Sequence, residues 1–244
     1  FNGNEYITVI HHEQNLGLSS TRNTGIKKCN SDFIAFLDGD MTVESNWLVS
    51  FLPYFKKDTI AVMGDNIPPA DIILNPVEKY YFGNLRGARQ FNDGDNISFE
   101  YMLYGNAMIR RSGLLESGLF DEKIINYGGE DTDLSVRIFD IFPNCFIFSK
   151  KSNSVHYHRR TLKEFCSSME TYGKFNFPTL IKKYPHHKIK FGADWINSIK
   201  GYLLFNFIIF RIIKMIYYFF PLQILIKYMV VRSVVIGARS SKYL

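Results

Sequence analysis

The stretch FIAFLDGD, residues 33–40, joins five apolar residues to two carboxylates, Asp38 and Asp40. The apolar run predicts a buried strand, and side chains at i and i+2 share one face of an extended chain. Asp38 and Asp40 can therefore point toward a common target at the end of this strand. Two ionised carboxylates that face each other repel unless a cation or a basic ligand lies between them. A hard ion such as Mg²⁺ or Mn²⁺ suits oxygen ligands of this kind, whereas the alternative is a strand-end turn in which Gly39 supplies an unusual φ.

Strand and helix patterns alternate on both sides of this stretch. Apolar runs predict strands at residues 6–11, 33–37 and 60–63, and helical spacing predicts helices at residues 19–29 and 45–55. This alternation implies an α/β fold with a mostly parallel sheet flanked by helices. Ligands of such sheets bind beyond the carboxyl ends of the strands, where Asp38 and Asp40 are expected.

The rest of the chain extends this pattern without adding a second large domain. Residues 68–104 are polar and aromatic with weak periodicity, which indicates an excursion over the sheet edge. Further strands are predicted at residues 106–110, 145–148 and 154–157, and helices at residues 130–142 and 161–183. A chain of 244 residues can bury one good core and a smaller appendage.

Charge is distributed unevenly along the chain. Residues 149–244 hold 17 basic and 3 acidic residues, a net charge of +14, whereas residues 1–148 carry a net charge of −8. The acidic part suits a metal-binding site, and the basic part suits an anionic surface such as phosphate groups or a membrane. Because the basic residues are interleaved with long apolar runs, nucleic acid is not an expected partner. The three cysteines have no C-x-x-C spacing, which argues against a disulfide framework or a zinc site and for a reducing compartment.

A second acidic segment, GGEDTDL at residues 128–134, places three carboxylates in the first turn of a predicted helix. Helix capping accounts for one or two of them, because acids are favoured where the backbone N–H groups are free. The two preceding glycines also allow the backbone to approach another group closely, as beside a substrate. A carboxylate held there can accept a proton from an attacking hydroxyl, which is the role of a general base.

Two histidines, His156 and His158, alternate in the segment SVHYH that follows this helix. Metal ligation and a structural or surface role are both open for them. The pairs His11-His12 and His186-His187 have no such neighbours in the sequence and are interpreted as surface residues.

Residues 201–231 are strongly apolar but are interrupted by charged residues and a proline. A membrane-spanning helix needs about 20 apolar residues. At the helical spacing of 100° per residue, Lys200, Arg211 and Lys214 fall in one narrow sector. We therefore expect a helix that lies in the interface of an anionic membrane. The alternatives are a helical pair packed against the rest of the chain or a partner, and a membrane-spanning hairpin.

Taken in order, the motifs resemble those of the family 2 glycosyltransferases, which have the nucleotide-sugar-binding GT-A fold. The matching segments are Asn15-x-Gly17, Arg22-Asn23-x-Gly25, Leu37-Asp38-Gly39-Asp40, Gly105-Asn106, Gly118-Leu119-Phe120-Asp121-Glu122, Gly129-Glu130-Asp131-x-Asp133-Leu134 and Arg137. Each segment is weak alone, but the ordered set is specific, and it covers residues 7–173.

This resemblance implies a metal site. Asp38 and Asp40 would hold Mn²⁺ or Mg²⁺ and, through the cation, the donor, with Asp40 the closer ligand. His156 would complete the metal site, with His158 as the alternative.

The resemblance also implies a reaction. Glu130 and Asp131 match the family's catalytic Glu-Asp motif, with Asp131 as the general base, and Asn15 and Arg22 would bind the donor nucleotide. The reaction would be inverting transfer of a sugar from a nucleotide-diphosphate donor to a glycan or lipid-linked hydroxyl acceptor. Such an enzyme would build cell-surface polysaccharide or lipid-linked glycan at the cytoplasmic face of the cell membrane. The alternative is a non-catalytic relative that binds a nucleotide sugar or scaffolds a membrane assembly.

Three parts are expected along the chain. They are a GT-A catalytic domain at residues 1–160, a helical extension at residues 161–193 and a membrane-associated helical tail at residues 194–244. The family pattern begins with an apolar strand and an Asp-rich turn that do not precede Phe1. The sequence is therefore expected to lack the first strand of the fold and part of the donor pocket.

Overall fold

Ten α-helices and five strands make up the computed structural model, which describes residues 4–157 and 159–242. The strands are β1 (Phe33–Leu37), β2 (Met41–Thr42), β3 (Ala61–Ile67), β4 (Asn106–Arg110) and β5 (Phe146–His156). The helices are α1 (Leu18–Lys28), α2 (Trp47–Phe51), α3 (Pro76–Tyr81), α4 (Arg111–Ser117), α5 (Glu130–Ile141), α6 (Leu162–Lys183), α7 (Asp194–Asn197), α8 (Ile199–Leu204), α9 (Phe207–Phe219) and α10 (Gln223–Arg239). Short 3₁₀-helices lie at Leu52–Tyr54, Gly87–Gln90, Phe99–Tyr101 and Pro185–His187.

The five strands form one mixed sheet in the order β1-β4-β3-β5-β2. Strands β3 and β5 are parallel, whereas the other three neighbouring pairs are antiparallel. The prediction of a mostly parallel sheet is therefore wrong, because β4 returns from the excursion at residues 68–104 and inserts between β1 and β3. Strands β1, β3 and β5 nevertheless run in the same direction, so their carboxyl ends point toward one edge of the sheet.

Both faces of the sheet are covered, as the alternation of strands and helices predicts. Along β3, Ala61 and Met63 belong to the larger core cluster, which includes Leu134 of α5. Val62 points to the opposite face, where it packs with Phe51 of α2. This period of two along β3 follows from the opposite orientation of successive side chains in a strand.

Two predicted strand boundaries differ from the structure. Residues 6–11 form no strand, and their apolar side chains Ile7, Val9 and Ile10 are exposed rather than packed. The strands predicted at residues 145–148 and 154–157 are parts of the single strand β5. The polar residues in the middle of β5 conceal its continuity, since Ser152 and Ser154 are buried among hydrogen-bonded neighbours.

Helix α6 forms where the sequence predicts a long helix. The Thr161 hydroxyl accepts a hydrogen bond from the Glu164 N–H at 3.2 Å, and the Glu164 carboxylate accepts one from the Thr161 N–H at 2.8 Å. This reciprocal capping box satisfies backbone donors that would otherwise lack partners. It fixes the start of α6 directly after the segment that carries the predicted metal-binding histidine.

The C-terminal apolar residues divide into helices with different surroundings. Helix α10 packs against α6, and Ile226 and Val230 join Phe165 in a buried cluster. Helix α9, in contrast, has no buried residue. No helix in the described ranges is long and apolar enough to cross a membrane.

The predicted cationic stripe on a single helix is wrong. Lys200 belongs to α8, whereas Arg211 and Lys214 belong to α9. The helix is interrupted between them because the Asn206 side chain accepts a hydrogen bond from the Ile209 N–H at 2.9 Å and so caps a new helix.

Candidate active site

A cavity of about 460 Å³ contains most of the residues that the sequence singles out. It lies beyond the carboxyl end of β1, between the ends of β3 and β5 and the start of α5. Its walls include the predicted site residues Arg22, Asp38, Asp40, Glu130, Asp131 and His156. The two acidic segments, which are about 90 residues apart in the sequence, therefore meet in one cavity.

Arg22 of α1 connects the two acidic segments. Its guanidinium donates to the Asp131 carboxylate at 2.6 Å and to the Asp38 carboxylate at 3.1 Å. The side chain is buried against the rings of Phe36 and Phe120. Burial disfavours the charged guanidinium, but the two carboxylates outweigh this effect and raise the pKa of Arg22. Arg22 thus remains a cation and partly neutralises the negative charge of the cavity.

Asp131 lies in the first turn of α5 and is held by two donors. One carboxylate oxygen accepts from Arg22, and the other accepts from the backbone N–H of Tyr104 at 3.1 Å. Its side chain is mostly buried but still lines the cavity. Both donors interact best with an ionised carboxylate, which is the form that a general base requires.

The turn before α5 needs glycine. Gly129 has φ +100°, and a Cβ at this position would lie 3.2 Å from the Cβ of Asn176. The Asn176 amide donates to the carbonyl oxygens of Gly128 at 2.6 Å and Asn126 at 2.9 Å. Helix α6 thereby fixes the loop that carries Glu130 and Asp131.

Glu130 is a partly buried acid beside other acids. Burial is the main reason that the pKa of Glu130 rises to about 7, and the neighbouring charge of Asp131 adds to this rise. The positive charge of Arg22 lowers the pKa of Glu130, but this effect is smaller than the rise caused by burial and by Asp131. Glu130 is therefore largely protonated below neutral pH, whereas its sequence neighbour pairs with a cation.

Asp38 faces Arg22 at the end of β1. Its backbone N–H donates to the Gly105 carbonyl at 2.8 Å, and a Cβ on Gly105 would lie 2.6 Å from an Asp38 carboxylate oxygen. Only glycine at position 105 therefore leaves room for this carboxylate. One carboxylate oxygen of Asp38 forms an ion pair with Arg22, which also pairs with Asp131. Asp38 is therefore linked to the predicted base through Arg22.

Asp40 and His156 form the second half of the site. His156 Nε2 lies 3.1 Å from an Asp40 carboxylate oxygen, and His156 Nδ1 lies 3.5 Å from the Tyr81 hydroxyl. The His156 side chain is buried at the end of β5, whereas nearly half of the Asp40 side chain is exposed. The neighbouring hydroxyl helps to fix the orientation of the imidazole ring.

This pair fits a divalent cation in its donor chemistry. A carboxylate and an imidazole nitrogen suit Mn²⁺, whereas Mg²⁺ prefers oxygen ligands alone. The exposure of Asp40 leaves room for further ligands from the cavity side. The ligand atoms of Asp38, Asp40 and His156 do not all lie within 4.8 Å of one another, since Asp38 pairs with Arg22.

Two sequence candidates lie outside this arrangement. Asn15 does not line the cavity; its side chain accepts a hydrogen bond from the Gly17 N–H at 2.9 Å and borders a separate cavity, which Thr21 and Thr24 of α1 also line. His158, the alternative metal ligand, falls outside the described residues. Arg22 does line the cavity, but the structure places its guanidinium on two carboxylates, which the predicted role in donor binding did not include.

The cavity also contains basic and aromatic residues that the sequence motifs do not indicate. Arg86 and Tyr81 come from the weakly periodic excursion, and Arg160 follows the last strand; all three line the cavity. The Arg86 guanidinium lies 4.4 Å from the centre of the Tyr81 ring. The Arg159-Arg160 pair just before a capped helix was the one signal in the sequence that indicated an anion-binding surface here.

Asp133 is a buried anchor rather than a site residue. Its carboxylate accepts hydrogen bonds from Arg137, from Lys183 at 2.6 Å and from the Tyr184 hydroxyl at 2.8 Å. Lys183 and Tyr184 lie at the end of α6. Asp133 therefore ties α5 to α6 and fixes the direction in which Asp131 points.

The surface interpretation of His186-His187 holds for His186 only. The His187 ring packs 4.5 Å from the centre of the Phe99 ring and is about one-eighth exposed. Both histidines contact the carboxylate of Asp140, at 3.2 Å and 2.7 Å. This contact joins the end of α5 to the turn after α6.

Comparison with known proteins agrees with this geometry. The family model described as Glycosyl transferase family 2 matches residues 2–118. Residues 2–118 belong to glycosyltransferase family 2. The resemblance that the motifs indicate is thereby confirmed for these residues.

Curated relatives extend the similarity beyond the matched residues. The pre-mycofactocin glycosyltransferase of Mycobacterium tuberculosis is 29% identical over 179 residues, which cover 72% of this chain and 37% of that protein. The hyaluronan synthase of Pasteurella multocida is 26% identical over 151 residues, which cover 50% of this chain and 16% of that protein. The chain thus spans little more than a third of the length of the first relative and less of the second.

A solved structure supports the fold. A mannosyltransferase from Pyrobaculum calidifontis, determined in complex with GDP-Man and Mn²⁺, superimposes with a TM-score of 0.58 at 13% identity and covers 95% of this chain and 68% of that one. The α/β, GT-A-like architecture expected from the motifs is therefore confirmed, with a mixed sheet in place of the mostly parallel one.

Proposed function

We propose that this family 2 glycosyltransferase transfers a sugar with inversion from a nucleotide-diphosphate donor to a hydroxyl acceptor, with the help of Mn²⁺ or Mg²⁺. The acceptor would belong to a cell-surface polysaccharide or a lipid-linked glycan. One observation supports this proposal: the Asp40–His156 pair lies in the same cavity as Asp131, whose carboxylate is bound by Arg22.

Asp131 is the base in this proposal. Its carboxylate lines the cavity and pairs with Arg22, so it can take the proton of an acceptor hydroxyl as that oxygen attacks the anomeric carbon. Glu130 is less suited to this task, because burial favours its protonated form. Tyr104 and Arg22 keep the Asp131 carboxylate in place through the hydrogen bonds described above.

Asp40 and His156 would hold the divalent cation. When bound, the cation neutralises charge on the diphosphate leaving group. Arg86 and Arg160 line the same cavity and add positive charge that attracts a diphosphate. Asp38 would contribute a carboxylate oxygen to the cation site, while Arg22 balances the negative charge of Asp38.

Hydrolysis of the donor tests the proposed chemistry without a known acceptor. A panel of nucleotide sugars that includes GDP-mannose is incubated with the chain and Mn²⁺, and the released nucleoside diphosphate is measured. We expect Asp131→Asn to lower the rate by about 10²–10⁴-fold, as is usual for loss of a placed base, while donor affinity changes by less than about threefold.

The matched control is Asp58→Asn, which removes one carboxylate from an exposed turn far from the cavity. It should leave both rate and affinity unchanged. Equal loss of rate and donor affinity in Asp131→Asn would contradict the assignment of Asp131 as base.

A membrane surface and a cytoplasmic location belong to the same proposal. Helix α9 exposes Phe207, Ile208, Ile212, Met215 and Phe219, and it carries Arg211 and Lys214. Apolar side chains beside cations suit the interface of an anionic membrane. The unpaired cysteines agree with the cytoplasmic face, because that compartment is reducing.

A further inference from the structure

A second cavity, of about 710 Å³, lies between α6, α9 and α10. Much of its wall is apolar or aromatic and comes from Leu162, Phe210, Tyr217, Tyr218 and Met229. The proposed sugar transfer uses none of these residues. The cavity is large enough for several isoprene units or a comparable stretch of hydrocarbon.

Three cations and one anion border this apolar space. The cations are Lys163, Lys214 and Arg232, and the anion is Glu170. The wall of the cavity therefore has a net charge of +2. The buried Nε of Arg232 has no hydrogen-bond partner in the described part of the chain, and its guanidinium lies 4.0 Å from the centre of the Phe210 ring. Such a partly buried, incompletely paired cation gains from an added anion.

The start of α6 separates the second cavity from the catalytic cavity. Arg160 lines the catalytic cavity, whereas Leu162 and Lys163 line the second one. Phe165 is close to both: the Arg160 and Arg86 guanidiniums are 5.8 Å and 5.2 Å from the centre of its ring, and Leu162 packs against the buried cluster that contains Phe165. Residues of the two cavities therefore adjoin the same buried cluster.

The second cavity also adjoins the apolar surface of α9. Phe210, Lys214 and Tyr217 of α9 face the cavity, while Ile208, Ile212 and Phe219 of the same helix are exposed. A molecule whose hydrocarbon chain lies in a membrane interface could pass along α9 into this space.

We propose that the second cavity holds the hydrocarbon chain of a lipid-linked acceptor that carries phosphate. The phosphate meets the cations at the start of α6 and on α9 and α10, and the attached sugar extends into the catalytic cavity. This inference rests on the proposed function and narrows its acceptor to the lipid-linked class.

The transfer itself is balanced by groups already described. The acceptor sugar's hydroxyl oxygen forms a bond to the anomeric carbon of the donor as the bond from that carbon to the diphosphate oxygen breaks. The hydroxyl proton passes to the Asp131 carboxylate. The nucleoside diphosphate leaves with the electron pair of the broken bond.

Photolabelling with a diazirine-bearing farnesyl phosphate tests the cavity. The labelled peptides are mapped by mass spectrometry, and binding is measured with the same probe. We expect labels on α6, α9 and α10. Ser167→Trp, which places a large ring into the cavity from an exposed position on α6, should lower labelling at least tenfold. Lys163→Glu combined with Lys214→Glu should weaken binding about tenfold or more.

Thr179→Trp is the matched control, because Thr179 is exposed on the same helix but does not line the cavity. It should label as the unchanged protein does. Thermal unfolding and donor hydrolysis of Ser167→Trp should match those of Thr179→Trp, which shows that the fold and the catalytic cavity are intact.

Three results would overturn the inference: unchanged labelling of Ser167→Trp, labels confined to the exposed side of α9, or full competition by inorganic phosphate alone. The first two would show that the cavity is not the lipid site, and the third would indicate a free-phosphate site. Absence of hydrolysis of every nucleotide sugar by the unchanged chain would instead contradict the proposed function, whatever the labelling shows.

Discussion

Arg22 holds together carboxylates that would otherwise repel. It contacts Asp38, 16 residues away, and Asp131, 109 residues away, and it does so from a buried position on α1. Breaking a buried pair of this kind usually costs several kcal/mol, because the remaining charge loses its partner. Arg22 therefore sets the spacing of the two acidic segments before any donor binds.

Glu130 gives the site a dependence on pH. Its pKa is about 7 in the folded protein, compared with an ordinary value of 4.5. Between these two values the folded state binds more protons than the unfolded state, so the free energy of unfolding falls as pH rises from 4.5 to 7. We expect Glu130→Gln, which is neutral at every pH, to be more stable than the unchanged protein by about 1–3 kcal/mol at pH 8 and by much less at pH 5.

Urea unfolding at the two pH values, in the presence of EDTA, measures this difference. Glu116→Gln on the exposed face of α4 is the matched control and should show no such pH dependence. A stability gain of equal size at pH 5 and pH 8 would mean that the raised pKa of Glu130 is not its cause.

At the level of single elements, α5 and α6 could be predicted well from the sequence. Their starts carry local signals, the glycine pair before Glu130 and the Thr161-x-x-Glu164 capping box. The interruption between α8 and α9 was harder to predict, because Asn206 lies in an apolar run and its capping hydrogen bond depends on the local fold. Local sequence signals thus predict where α5 and α6 begin. The spacing of apolar residues alone does not predict where α8 ends and α9 begins.

Helix α9 carries the prediction of membrane binding. We expect the double variant Ile212→Glu with Phe219→Glu to lower binding to vesicles that contain phosphatidylglycerol at least tenfold, because each apolar side chain contributes about 1.5–3 kcal/mol when buried. Co-flotation with phosphatidylcholine vesicles, with and without phosphatidylglycerol, measures this effect and its dependence on lipid charge.

The control for this experiment is Ile189→Glu, an equally drastic change at an exposed apolar residue outside α9. It should bind vesicles as the unchanged protein does. Membrane binding that survives the double variant would assign the interaction to another surface.

For the whole molecule, the sequence predicted which residues share a site better than it predicted how the sheet is arranged. Asp38, Asp40, Glu130, Asp131 and His156 line one cavity, as their motifs implied. The insertion of β4 between β1 and β3 could not be predicted, because an apolar run identifies a strand without its partner or direction. The same limit applies to Arg86 and Tyr81, which reach the cavity from a segment of weak periodicity.

The directions of the strands explain why the site residues lie together although the predicted sheet arrangement is wrong. Strands β1, β3 and β5 still run in one direction, so Asp40 after β1 and His156 at the end of β5 meet at the same edge. The backbone N–H of Tyr157 donates to the Asp40 carbonyl at 3.0 Å, which fixes this meeting through the main chain. Position at a common sheet edge, rather than parallel pairing, brings the two residues together.

The central claim is that Asp40 and His156 hold a divalent cation, while Asp131 in the same cavity is the general base that accepts the proton of the acceptor hydroxyl. Electron paramagnetic resonance of free Mn²⁺, recorded in the presence of a nucleoside diphosphate, measures cation affinity directly. We predict that Asp40→Ala weakens Mn²⁺ binding at least tenfold and that Asp131→Asn changes it by less than about threefold. Unchanged Mn²⁺ affinity in Asp40→Ala, or loss of Mn²⁺ binding in Asp131→Asn, would contradict the account.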